Sequence, residues 1–185
     1  MQPPETHIQE IYVQPGESHL VSQPSILRTV LGSCVGVVFL VPRLGIGALC
    51  HPMLPICPPG KRAKLSVRAG RRYVDYAIRE MASQLDALGA ARTEAVVKLF
   101  GGGDVLTAID GSRRPTVGKL NSEAAFKTLE EEGFSVCACR LGGDTGVHLE
   151  FSTASGEVLV RPLNSTSAHP RSKSRRNVHR CGPAQ

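Results

Sequence analysis

Two side chains in this 185-residue chain are placed to act as a nucleophile and its base: Cys34 and His51. Cys34 ends a Gly32-Ser33-Cys34 corner between two apolar runs, Ile26–Leu31 and Cys34–Val41, and His51 lies in a third run, Gly47–Leu54. Pro42, Arg43, Gly45 and Gly47 supply a turn between the second and third runs. If those runs pair as a hairpin, Cys34 and His51 meet near its open end. A thiol and an imidazole on adjacent strands suit nucleophilic catalysis, because a free thiol has a pKa of about 8.5 and needs a neighbouring base or cation to become a thiolate. By spacing alone, both residues fit structural roles as well: free Cys often packs as a small hydrophobe, and a His before Pro fits a turn. Cys50, mid-run without a Gly corner, reads as core.

The elements that must position the pair read as follows. His7–Val13 alternates weakly, as an edge strand would, and Ser18–Ser22 is a short strand. Ile56–Gly70, with Pro58, Pro59, Gly60, Lys61, Arg62, Lys64 and Arg68, reads as an exposed basic loop, open to a substrate-gating role or a plain insertion. Arg71–Leu88 is the clearest helix: Val74, Ile78, Met81, Leu85 and Leu88 form one apolar stripe, and Gly89 stops it. Ala95–Phe100 is a buried strand ending in Gly101-Gly102-Gly103, where no Lys follows as a phosphate-binding loop requires; the glycines imply close backbone approach to a neighbour or substrate. Leu106–Thr116 is polar loop. A second helix spans Glu123–Glu132, capped by Asn121 or Ser122. Phe134–Leu141, Val147–Thr153 and Glu157–Leu163 are strands, the last two a hairpin. Many short strands with two main helices give an α+β class: a layered sandwich of mixed, largely antiparallel sheet, helices packed outside.

The net charge of +6 belongs mostly to the end of the chain. After Leu163 come Arg171, Lys173, Arg175, Arg176 and Arg180 with no acid, so the rest is nearly neutral. Residues 1–163 are therefore expected to form one domain, and 164–185 a disordered basic tail. No aromatic residues interleave that tail, so no nucleic acid is expected. No apolar run reaches membrane-spanning length and the N-terminus does not read as a signal peptide, so a cytoplasmic location without membrane insertion is expected. The six Cys are then expected as thiols, with Cys137 and Cys139 as core packing. No Cys or His set has metal-site spacing.

Eight motifs occur in one order: V-Q-P-G-E (13–17), L-G-S-C-V (31–35), H-P-M-L-P (51–55), R-Y-V-D-Y-A-I (72–78), K-L-F-G-G-G (98–103), V-G-K-L-N (117–121), L-G-G-D-T-G (141–146) and G-E-V-L-V-R-P-L (156–163). Together they resemble the CheD family of chemoreceptor glutamine deamidases, over about Ile8 to Leu163. The resemblance implies hydrolysis of glutamine side-chain amides to glutamate on methyl-accepting chemotaxis receptors, with Cys34 as nucleophile and His51 as acid–base group, and no metal or cofactor. It implies a fold similar to glutamine-deamidating toxin domains. It also admits a non-catalytic adaptor that binds receptors or a CheC-type phosphatase. The Gly32-Ser33-Cys34 turn offers N–H groups to an oxyanion, each worth about 3 kcal/mol in other enzymes. The family's third residue is a Thr six positions before the Cys, which is Arg28 here; Thr29 lies five before. A one-residue offset in a strand changes the face, so either register is open, with Thr29 as the candidate to orient His51.

Overall fold

The computed structural model describes residues 8–104 and 115–163. Among them are nine strands: β1 (Gln9–Tyr12), β2 (Ser18–Val21), β3 (Ser25–Leu31), β4 (Val35–Val41), β5 (Ile46–Cys50), β6 (Val96–Gly101), β7 (Val136–Leu141), β8 (Val147–Ser152) and β9 (Val158–Pro162). The α-helices are α1 (Val67–Gly70), α2 (Val74–Ala87) and α3 (Val117–Glu131). One sheet has the order β1-β3-β8-β9 and the other β2-β5-β4-β6-β7. Only β1 with β3 and β6 with β7 pair in parallel; the remaining pairs are antiparallel. The expected α+β layered sandwich is the observed architecture.

The strand patterns follow from the layering. β3 alternates, with Ser25, Leu27, Thr29 and Leu31 buried and Ile26, Arg28 and Val30 only partly so, because the first sheet has one face on the core. β4 is apolar on both faces because both are covered. Val38 joins Leu27, Leu31, Leu49, Phe100, Leu149 and Phe151 between the sheets. Val35, Val37 and Phe39 pack beneath α2 and α3, with Ile78, Met81, Leu85 and Leu129. The two main helices thus form the outer layer.

Several boundaries differ from the sequence reading. β5 stops at Cys50 rather than Leu54, since Pro52 has no N–H to continue the ladder. The segment 56–70 is not simply an exposed loop. The buried Cys57 donates its N–H to Asp75 Oδ1 at 2.8 Å, Arg62 pairs with the same carboxylate at 3.0 Å, and α1 forms behind Ser66. α2 buries the predicted stripe except Leu88, which lies past its end and is exposed.

α3 begins six residues before the expected start. Thr116 is its cap, with Oγ1 accepting from Lys119 N at 3.2 Å, so Asn121 and Ser122 are interior rather than caps. The signal was obscured because Gly118 and Asn121 occupy the buried face where apolar residues would be looked for. Cys137 is exposed on the edge strand β7, contrary to a packing role, while Cys139 lies against the core. Cys139 also departs from the expectation of free thiols, being disulfide-bonded. The predicted loop over 106–116 falls mostly outside the described residues, and the tail 164–185 entirely so. No described helix is long and apolar enough to cross a membrane.

Candidate active site

β3 delivers Thr29 to the inner face of the first sheet, and the chain then turns through Gly32, Ser33 and Cys34 to enter the second sheet as β4. β5 returns antiparallel to β4, with Val37 opposite Cys50. Beyond that pair, Val35 N donates to Pro52 O at 3.3 Å, so the Cys34 and His51 segments lie side by side at the hairpin's open end, as expected.

All three carbonyls of the corner are held. Gly103 N donates to Gly32 O at 2.8 Å, Asn121 Nδ2 to Ser33 O at 2.8 Å, and Gly102 N to Cys34 O at 2.7 Å. Close approach is why the triple glycine is needed: Gly101 has φ +92°, and a Cβ there would lie 2.4 Å from Cys34 O. The glycines therefore serve the Cys34 corner, which is the neighbour their flexibility implied. The N–H groups of Gly32 and Ser33 make no hydrogen bond to a described residue.

His51 is 1% exposed. Its backbone is clasped by the V-Q-P-G-E segment: Gly16 N donates to His51 O at 2.7 Å and His51 N to Glu17 O at 2.9 Å. Its ring Nδ1 lies 2.7 Å from Thr29 Oγ1 and 3.4 Å from Val13 O. The Thr29 hydroxyl donates to Val13 O at 2.7 Å. A hydroxyl has one proton and Val13 O can only accept, so Thr29 Oγ1 must accept from Nδ1–H. The network therefore assigns the Nδ1–H tautomer and leaves the lone pair on Nε2. Nε2 is buried without a described partner, so Cys34 Sγ is not hydrogen-bonded to it.

Thr29, not Arg28, faces the imidazole. Arg28 lies on the opposite face of β3, where its Nε donates to Glu150 at 2.9 Å and its Nη1 to Glu10. Burial pushes the Cys34 thiol up, partly offset by its own backbone N–H. Burial also pushes the His51 imidazolium down, opposed by the Val13 carbonyl and the Glu17 charge. Both shifts favour the neutral forms, so near pH 7 the pair is thiol and imidazole rather than thiolate and imidazolium. No group of three or more His, Cys, Asp or Glu among the described residues is arranged for a metal.

Cys50 is fully buried in the helix-side core, with its thiol pushed up to about 12 by burial. Iodoacetamide at neutral pH is expected to label the half-buried Cys34 at least about tenfold faster than Cys50, because alkylation follows thiolate fraction and access. Equal labelling of the two in folded protein would contradict an accessible nucleophile at position 34. Two contributors were not legible beforehand. The Val13 carbonyl has no side-chain signature. Asn121 carries one only if the helical period is extended back to Val117, which places a carboxamide on the buried face.

The CheD chemotactic sensory transduction family model matches residues 53–162, a span that begins just after His51. A probable chemoreceptor glutamine deamidase, CheD 2 of Geobacter sulfurreducens, is 39% identical over 158 residues, covering 85% of this chain and 92% of its own. The probable chemoreceptor glutamine deamidase CheD of Maridesulfovibrio salexigens is 34% identical over 164 residues, covering 86% and 95%. Among solved structures, the hypothetical protein YfiH of Bacillus licheniformis aligns at TM-score 0.42 and 12% identity, over 72% of this chain and 58% of its own. With more than half of its length under the family model and near-complete relatives at this identity, the chain belongs to the CheD family.

Proposed function

We propose that this protein hydrolyses glutamine side-chain amides to glutamate on chemoreceptors, using Cys34 and His51. The observation that carries the reading is the Val13–Thr29–His51 chain, which holds the proton on Nδ1 and leaves a buried, unprotonated Nε2 on the segment that runs beside the Cys34 corner. The relatives, named as probable chemoreceptor glutamine deamidases, supply the substrate class.

The neutral pair sets the order of events. Nε2 removes the Sγ proton as sulfur attacks the amide carbon, so charge separates only as the C–S bond forms. The tetrahedral oxyanion is received by the N–H groups of Gly32 and Ser33, and the peptide that carries Ser33 N–H is already fixed through the Gly32 carbonyl, which accepts from Gly103 N. The imidazolium then protonates the nitrogen, the C–N bond breaks, and ammonia leaves a thioester. Water, deprotonated by Nε2, attacks that thioester; the C–S bond breaks, sulfur regains its proton, and the product is glutamate. The geometry of the free protein need not hold Sγ on Nε2, since such contacts commonly tighten with substrate bound.

The test is mass spectrometry of a receptor cytoplasmic fragment incubated with the full chain. Each hydrolysed amide should add about 1 Da at a Gln, and a Cys34→Ala control should add none. An unchanged fragment would overturn the reading. A pH profile checks the base. Because burial lowers the His51 pKa, the imidazole stays neutral to lower pH, and kcat/KM should hold on acidification until below the ordinary value of 6.5. An acid limb centred above 6.5 would contradict a buried neutral base.

A further inference from the structure

Asn121 is fully buried in the interior of α3, where a short carboxamide is a poor helix former. Its Nδ2 donates twice: to Ser33 O at 2.8 Å and to Met53 O at 3.0 Å. Ser33 immediately precedes the nucleophile, and Met53 follows the base by two residues. One side-chain amide thus bridges the two segments that carry Cys34 and His51. Its Oδ1 is buried without a described partner, so the residue is held for its two donors rather than for a satisfied network.

The position of α3 is itself fixed against the nucleophile loop. A Cβ on Gly118 would lie 2.5 Å from both Gly102 O and Gly103 O. The N–H groups of those two glycines hold Cys34 O and Gly32 O. Helix, triple glycine and corner therefore pack backbone to backbone, and Asn121 reaches from that contact across to the His51 segment. Thr29 sets the orientation of the ring; Asn121 acts on the separation of the two chain segments.

We propose that Asn121 is a positioning residue that sets the reach between Cys34 Sγ and His51 Nε2. This rests on the reading of Cys34 and His51 as nucleophile and base. An apolar side chain of similar size would leave the Ser33 and Met53 carbonyls unpaired and the segments free to part. Misplacement on the scale of an ångström costs about 10²-fold in rate.

The experiment compares the wild-type full chain with Asn121→Ala, Asn121→Ser and Asn121→Asp. It reads kcat and KM on a receptor fragment, and separately the pH dependence of Cys34 alkylation, which needs no substrate. Asn121→Ala should lower kcat by about 10- to 100-fold with KM within about threefold. Asn121→Ser, which keeps one donor, should fall between wild type and Ala. Asn121→Asp keeps the shape but faces two carbonyls without donors at neutral pH, and should be no better than Ala. In wild type, Cys34 alkylation should show an inflection as His51 loses its proton; in Ala it should follow the thiol alone.

A folded Asn121→Ala or Asn121→Ser with wild-type kcat and alkylation profile overturns the proposal. Failure of both to fold would mean that Asn121 holds the fold rather than the pair, and overturns it too. If wild type does not convert glutamine, the deamidase reading fails by itself, and the alkylation profiles still decide the role of Asn121.

Discussion

Cys34→Ala should abolish deamidation of a receptor fragment, with turnover falling by about 10⁴-fold or more, while the protein stays folded. What remains without the sulfur is a buried imidazole and the Gly32 and Ser33 N–H groups. These could activate water weakly, but no covalent intermediate could form. Cys34→Ser should be nearly as inactive. A base whose pKa is already lowered by burial is poorly matched to a hydroxyl proton, and the alkoxide is a worse leaving group than the thiolate. Stability should change little, by about 1 kcal/mol or less, because Cys34 is half-buried at the margin of the inter-sheet core. Cys50→Ala is the contrasting control. It opens space in the fully buried core under the helices, so it should lower the melting temperature and leave turnover per folded molecule intact. Substantial turnover by a folded Cys34→Ala protein would remove the covalent mechanism.

The parts of this site that were legible in the sequence are those where local pattern and tertiary role agree. The β4–β5 hairpin showed itself because both strands are buried on both faces and therefore apolar throughout, with Pro42 and Gly45 between them; Gly45 has φ +63°, which suits a glycine turn. Its open end then placed Cys34 beside His51 without further information. The orientation of β3 was partly legible, since Arg28 marks the solvent face and puts Thr29 inside with Leu27 and Leu31. Family spacing pulled the other way, toward position 28, and only the cross-strand register resolved it: Arg28 is opposite Glu150, and Thr29 opposite the buried Leu149. The start of α3 was hidden because contact with the triple glycine demands Gly118, and bridging two loops demands Asn121. Neither residue reads as an apolar face, so tertiary function overrode the periodic signal. The Val13 carbonyl had no signal at all, being backbone.

Thr29→Ala should lower kcat by about 10- to 100-fold, equivalent to about 1.4 to 2.7 kcal/mol, with KM nearly unchanged. The bound is set by what replaces the hydroxyl. In triads where a mutation imposes the wrong imidazole tautomer, the loss reaches about 10⁴. Here Val13 O already lies 3.4 Å from Nδ1 and becomes free once the Thr29 hydroxyl is gone. Nδ1–H can swing toward that carbonyl, which preserves the tautomer but turns the ring away from its productive angle. The loss is then one of orientation rather than protonation, and should be the smaller of the two. Thr29→Ser should restore most of the rate, since it keeps a hydroxyl that accepts from Nδ1–H and donates to Val13 O. Thr29→Val, which keeps the volume without the hydroxyl, should behave like Ala in rate. Arg28→Thr should leave turnover unchanged, because its partners Glu10 and Glu150 sit on the other face of β3 and the pairs are solvent-screened. Steady-state kinetics on these four variants discriminate sharply. A Thr29→Ala protein with full kcat would mean that Val13 alone orients His51, and a rate change in Arg28→Thr would mean that the face of β3 has been assigned the wrong way round.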